Sequence, residues 1–214
     1  NPREHKVAYL KLQTSQVFHF KIQIKTEEVQ LNSLLKDHLF NGFILGFLLL
    51  AMIYNLAIGI TAGEKMYLYY AFYVFCTGLY ILVICGYPRL IFPEWGGDSI
   101  FSHLTALLAI FGATAFIREL LDTANSTPKT DLLLRTQQTI IFVSIILIGV
   151  VSDSNAYALV ESMGIIAPAI LFFAGISAYR NNHPLAIYFL ISWSLFLLSA
   201  TIWVWMWLGI IAAD

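Results

Sequence analysis

Charge is what this sequence has least of. Only 12% of its 214 residues are Asp, Glu, Lys or Arg, while 59% are hydrophobic. An ordinary soluble domain carries about 25% charged residues. With a mean hydropathy of +0.75, the chain reads as an integral membrane protein. The formal net charge of −1 offers no basic surface, so no nucleic-acid partner is expected. Cysteine is nearly absent. Cys76 and Cys85 are the two present, and on one helix they stand about 13 Å apart, too far for a bridge within it. His5, His19, His38, His103 and His183 are scattered without ligand spacing, so no metal is expected. There is no nucleophile elbow, phosphate loop or HExxH. The expectation is a chain without catalytic residues or cofactors. It begins Asn1-Pro2, without a signal peptide, and reads as part of a longer polypeptide.

Two stretches have strand character. Phe18, Phe20, Ile22 and Ile24 alternate with His19, Lys21, Gln23 and Lys25, the period of a strand with one buried face. Residues 6–13 precede 17–26 across Thr14-Ser15-Gln16, which makes a β-hairpin. An isolated hairpin is marginal in water, so it reads as the end of a larger sheet domain or as a partner-bound arm. Residues 28–38 form a polar linker, helical or not. Six apolar runs follow: 39–62, 66–86, 100–121, 136–152, 156–179 and 185–213. Each is near the roughly 20 residues that a bilayer crossing needs. The fourth is the weakest, because its strictly apolar part is 140–151. The expectation is six spanning helices, with five or seven as the alternatives.

Lys and Arg in short connections set orientation. The connections after the first, third and fifth runs hold Lys65, Arg118, Lys129, Arg135 and Arg180; the other two hold only Arg89. That bias puts residues 116–135 in the cytoplasm and the N-terminus outside. Lys25 and Lys36 flank the first helix on the outer side, but a folded domain translocates largely regardless of charge. A cytoplasmic output would then need a seventh helix beyond residue 214. Trp203, Trp205, Trp207, Tyr87 and Trp95 collect at the outer face, as interface anchors or as the lining of a pocket.

Few residues could carry chemistry. Glu161 is the acidic side chain plainly inside an apolar run, and intramembrane carboxylates are costly. It lies about 8 Å from the start of its helix, so headgroup hydration is the competing reading. Pro168 predicts a bend that frees a backbone carbonyl. Asn41, Asn55 and His103 are expected to hydrogen-bond to neighbouring helices, and Gly42, Gly46, Ala51, Gly59, Gly78, Gly112 and Gly175 to permit close helix approach. Gly42 and Gly46 have GxxxG spacing, which suggests a homodimer contact. Glu161, His103 and Trp95 are the ligand-binding candidates. In the loop at 116–135, Pro128 marks a turn, and Arg118, Asp122, Pro128, Asp131 and Arg135 read as determinants of topology and packing rather than as a binding site.

Three segments, in order, resemble the bacterial seven-transmembrane receptors with diverse intracellular signalling modules (7TMR-DISM). They are Gly42-Phe43 through Tyr54-Asn55-Leu56; Met66-Tyr67-Leu68-Tyr69-Tyr70 after Gly63-Glu64-Lys65; and Phe116-Ile117-Arg118-Glu119-Leu120-Leu121-Asp122-Thr123 with Pro128 and Asp131-Leu132-Leu133-Leu134-Arg135. The resemblance implies an extracellular β-sandwich sensor ending at 1–27, a linker at 28–38 and a transmembrane region at 39–214. It also implies a cytoplasmic histidine kinase or diguanylate cyclase after a seventh helix. The expected fold is therefore an α-helical membrane protein, a bundle of about six helices with the seventh missing, preceded by a short β-hairpin. It would sit in the bacterial inner membrane with its N-terminus periplasmic. Its partners would be the lipid bilayer, its own missing sensor and output domains, and a second copy. The rival expectations are a small-molecule transporter or channel subunit, which predicts paired intramembrane charges, and a structural membrane-assembly subunit.

Overall fold

The computed structural model describes residues 26–91 and 99–207. The hairpin strands, apart from Thr26, and Trp95 lie outside the described residues. Among those described there is no strand, and eight helical segments follow one another: α1 (Glu27–Ala62), α2 (Lys65–Ile84), α3 (Pro88–Ile91), α4 (Ser99–Leu120), α5 (Thr123–Ser126), α6 (Pro128–Leu147), α7 (Asp153–Arg180) and α8 (Ala186–Trp207). Five of the described helices (α1, α2, α4, α6 and α7) are long and apolar enough to cross a membrane, and α8 is apolar from Ala186 to Ser199. Single turns, α3 and α5, sit in the connections.

Residues 28–38 continue the first membrane helix. At 36 residues, α1 is about 54 Å long, against a hydrocarbon layer of about 30 Å. Its polar beginning, with Glu28, Lys36, Asp37 and His38, therefore projects past the apolar part. The far end of α2 returns to that projection, where His38 Nδ1 and Tyr87 OH are 3.1 Å apart.

Turn chemistry decides where helices stop. Gly63 (φ 70°) and Gly86 (φ 77°) take the left-handed conformation at helix ends, which costs glycine little. After α2, the Tyr87 N–H donates to the Leu82 carbonyl and the Gly86 N–H to Val83, the paired bonds of a Schellman end.

α4 is the centre of the bundle. It packs on α2, α6 and α7, while α1 leans on α2 and α8 on α7. Two apolar clusters hold these contacts. One joins Ile117 and Leu121 to Leu134, Leu171 and Ala174. The other joins Leu107 to Ile141, Ile148 and Ala156. Glycine permits close approach at three of the expected positions. A Cβ on Gly112 would lie 3.1 Å from Tyr73 Cα, and one on Gly175 2.6 Å from Phe189 Cε1. One on Gly59 would meet Leu68. Gly42, Gly46 and Gly78 differ from expectation, with nothing within 4 Å of such an atom.

The fourth run is displaced from its sequence assignment. Its helix begins at Pro128, eight residues before 136, and ends at Leu147. Pro128 occupies its first turn, where the missing N–H costs nothing. The buried residues of α6 are Thr130, Asp131, Leu134, Gln137, Ile141 and Ser144. Leu132, Leu133, Ile140, Phe142, Val143, Ile146 and Leu147 are exposed. α6 thus turns a polar stripe inward and an apolar surface outward, which is how a segment of modest hydropathy suits a bilayer.

Asn55 is a second departure. Its Nδ2 donates to the Ala51 carbonyl of its own helix at 2.8 Å, so it supplies no bridge to a neighbour by this bond. Pro168 lies inside α7. Its lost N–H frees the carbonyl of Gly164, yet the indole Nε1 of Trp193 donates to the carbonyl of Pro168 itself, at 3.2 Å. Trp193 also stacks on Phe189 of its own helix with ring centroids 5.5 Å apart, which orients the indole whose bond to Pro168 joins α8 to α7.

Candidate functional site

The inward stripe of α6 meets the last turn of α4 in a buried ion cluster. Asp131 is its hub. Its side chain is 6% exposed and accepts hydrogen bonds from three residues. Arg118 Nε donates to Oδ1 at 2.9 Å and Arg118 Nη2 to Oδ2 at 3.4 Å. Thr123 Oγ1 donates to Oδ1 at 2.8 Å, and Arg135 Nε to Oδ2 at 2.6 Å. Arg118 is further held by Gln138, whose Oε1 accepts from Nη1 at 2.7 Å.

Local structure explains the convergence. Arg118 lies in the last turn of α4, where a cation suits the negative end of the helix dipole. Asp131 lies in the first turn of α6, where an anion suits the positive end. Asp122 adopts φ 42°, and its Oδ1 accepts from Asn125 Nδ2 at 2.8 Å. That turn begins α5 and brings Thr123 over the carboxylate. Arg135 is one helical turn beyond Asp131, so the two share a face.

The cluster extends along the α4–α6 and α6–α7 seams. Gln137 Nε2 donates to Thr114 Oγ1 at 3.2 Å, and the hydroxyls of Thr130 and Ser177 are 2.9 Å apart. The Thr127 hydroxyl and the Gln137 carbonyl oxygen are buried without a hydrogen-bond partner. Two arginines on one aspartate leave a net positive charge, with Arg135 partly exposed and Asp131 enclosed. Such an arrangement cross-links three elements. It holds no nucleophile, and the one carboxylate is saturated by donors, so it has no base to offer.

Of the five loop residues singled out in the sequence, Arg118, Asp131 and Arg135 come together. Asp122 and Pro128 stand apart from them as turn and helix-start residues, both exposed. Sequence reasoning did not single out Thr123, Gln137 or Gln138. A signal existed in the spacing: Asp131, Leu134, Gln138, Ile141 and Ser144 recur every three or four residues, so polar side chains share one helical face.

At the opposite end of the bundle, two of the three ligand-binding candidates are joined through a tyrosine. His103 of α4 is buried, and its ring meets that of Tyr157 edge-on at 6.2 Å. Glu161 lies one turn along α7 from Tyr157, and both Tyr157 and Tyr80 of α2 lie within electrostatic reach of its carboxylate. Glu161 itself is exposed. Trp95 lies outside the described residues.

The profile of the family described as 7TM diverse intracellular signalling matches residues 37–214. The chain belongs to that family. As a member of the 7TM diverse intracellular signalling family, it is a membrane protein whose helices form a transmembrane signalling region. The match begins at Asp37, within the projecting start of α1, and covers every described helix after it. No curated protein and no solved structure is significantly similar.

Proposed function

We propose that this chain is the membrane core of a bacterial receptor in the inner membrane. It would relay an extracellular ligand signal to a cytoplasmic output module outside the chain. The N-terminus is periplasmic in this reading, and the ion cluster lies at the cytoplasmic end. The observation that carries the reading is the family match over residues 37–214. The positioning of the cluster supports it: Arg118, Thr123, Asp131 and Arg135 tie α4, α5 and α6 at the end from which an output module would be driven. A signal transmitted there must bias an equilibrium between two helix packings, with ligand affinity differing between them.

The chain itself carries no enzymatic step in this proposal. The output would be a histidine kinase or a diguanylate cyclase. A second copy would meet the Gly42 and Gly46 face of α1, which no described residue fills.

A transporter or channel subunit is the second reading, favoured by the buried Arg118–Asp131 pair. However, that pair lies at helix ends. Asp131 is three residues into α6, about 4.5 Å along it, whereas transport sites lie near mid-depth. The test is the reading frame of the gene downstream of the codon for Asp214. A seventh apolar run leading into a kinase or nucleotide cyclase supports the proposal, and a stop codon directly after Asp214 defeats it.

A further inference from the structure

At the same end of the bundle as the ion cluster, the turn between α7 and α8 holds a cleft of about 430 Å³ lined by Tyr179, Arg180, Asn182, His183, Pro184 and Ile187. Its volume falls within the roughly 300–1,000 Å³ of small-ligand sites. None of these residues belongs to the ion cluster.

The helix end builds the cleft. Asn182 takes the left-handed conformation at φ 58°. Its N–H donates to the Tyr179 carbonyl at 3.0 Å, and the His183 N–H donates to Ala178 at 3.1 Å. These are the two bonds of a Schellman end, and Pro184 follows where the helix cannot continue. The motif holds Arg180 and His183 on either side of the turn. It also occupies carbonyls that would otherwise repel an anion.

Three features give the cleft its chemistry. Arg180 is exposed and makes no ion pair with any described carboxylate, unlike Arg118 and Arg135. His183 Nδ1 is buried without a hydrogen-bond partner, a cost that a ligand would remove. Ile187 belongs to the first turn of α8, whose positive dipole end favours negative charge, although the Ala186 and Phe189 N–H groups there already donate to the His183 and Leu185 carbonyls. A guanidinium, an unused imidazole nitrogen and a helix start together suit a phosphate group. The surroundings favour one borne by a lipid. Tyr179, Ile187 and Tyr188 are 53%, 43% and 69% exposed, so aromatic and apolar surface continues from the cleft toward the acyl region.

We propose that the α7–α8 turn is a phosphate-binding site, with Arg180 as the charged partner and His183 as the second contact. The phosphate is carried by an anionic lipid headgroup or by a soluble molecule. The test uses the intact protein, stripped of lipid in neutral detergent, and titration calorimetry with three probes: phosphatidylglycerol, inorganic phosphate and diacylglycerol.

Saturable binding of phosphatidylglycerol is expected, with diacylglycerol silent. Arg180→Gln should weaken it by about tenfold or more, the scale of a lost charge-assisted contact. Arg180→Lys should restore part of the loss. Thermal melting of Arg180→Gln should match the wild type, because Arg180 holds no ion pair. Saturable binding of inorganic phosphate with the same dependence on Arg180 assigns the site to a soluble phosphate instead. The proposal is overturned if no probe saturates, if diacylglycerol binds as well as phosphatidylglycerol, or if Arg180→Gln binds like the wild type.

Discussion

Arg118 and Asp131 meet at 2.9 Å, so the last turn of α4 is tied to the first turn of α6 by a carboxylate that is almost fully enclosed. Twelve residues, with a sharp turn at Asp122, separate them in the chain. The pair draws part of the polar stretch at mid-sequence into the bundle's interior.

Breaking that pair should be costly. Asp131→Asn leaves the Arg118 guanidinium without its counter-charge, and such losses run to about 3–5 kcal/mol. Unfolding in mixed micelles should show a decrease of that order. The double variant Arg118→Met, Asp131→Leu should recover much of it, since apolar replacement of a buried pair is often near neutral. Equal costs for the single and double variants would contradict the account of Asp131 as a paired buried charge.

The glycines divide into two classes by what faces them. Gly112→Ala puts a methyl 2.9 Å from Phe72 Cδ1 and 3.1 Å from Tyr73 Cα. The backbone of α2 cannot swing away, so overpacking of about 1–3 kcal/mol is expected. Gly46→Ala meets no atom of the described residues within 4 Å and should raise stability by up to about 1 kcal/mol through helix propensity. If α1 forms the contact between two copies, the same substitution lowers dimer yield on cross-linking. Thermal melts and cross-linking, run on both variants, separate the two effects.

Trp193 offers a local probe of the α7–α8 contact. Trp193→Phe retains the stack on Phe189 and loses the indole hydrogen bond to the Pro168 carbonyl. The expected loss is about 0.5–1.5 kcal/mol, with faster amide exchange at the start of α8 than at the centre of α4. Uniform exchange changes across the bundle would show that this bond does not hold α8 in place.

Orientation can be read with thiol chemistry. Cys85 is exposed at the end of α2 and Cys76 is buried, so the native chain carries one accessible thiol. A membrane-impermeant maleimide added to intact cells should modify Cys85. In a Cys85→Ser background, Asn125→Cys should stay unmodified until the cells are opened. The reverse pattern inverts the proposed topology.

Several features are legible in the order of the amino acids. The scarcity of charge marks a membrane chain, and the apolar runs locate α2, α4, α7 and the start of α8 to within a few residues, while α1 begins twelve residues before its run. The fourth is displaced because hydropathy counts residues without regard to where they point. Thr130, Asp131, Gln137 and Ser144 lower its average, yet they face α4 and α7 rather than lipid. The same blindness hides the ion cluster. Arg118, Asp131 and Arg135 are each conspicuous in the sequence, but as loop charges, because a turn at Thr127-Pro128 reads as solvent-facing until the helices on either side are packed together.

The sequence by itself determined that the chain lives in a bilayer, that it makes a series of long helices, where glycine and proline stop them, and which family it resembles. Those properties depend on composition, periodicity and local backbone preference, which short windows contain. Tertiary structure alone decided that Asp131 is buried against Arg118, that His103 and Glu161 share Tyr157, and that Gly112 is in close contact while Gly46 is open. Each of these joins residues from different helices or depends on which face of a helix turns inward. Packing selects that face, and no local pattern specifies it.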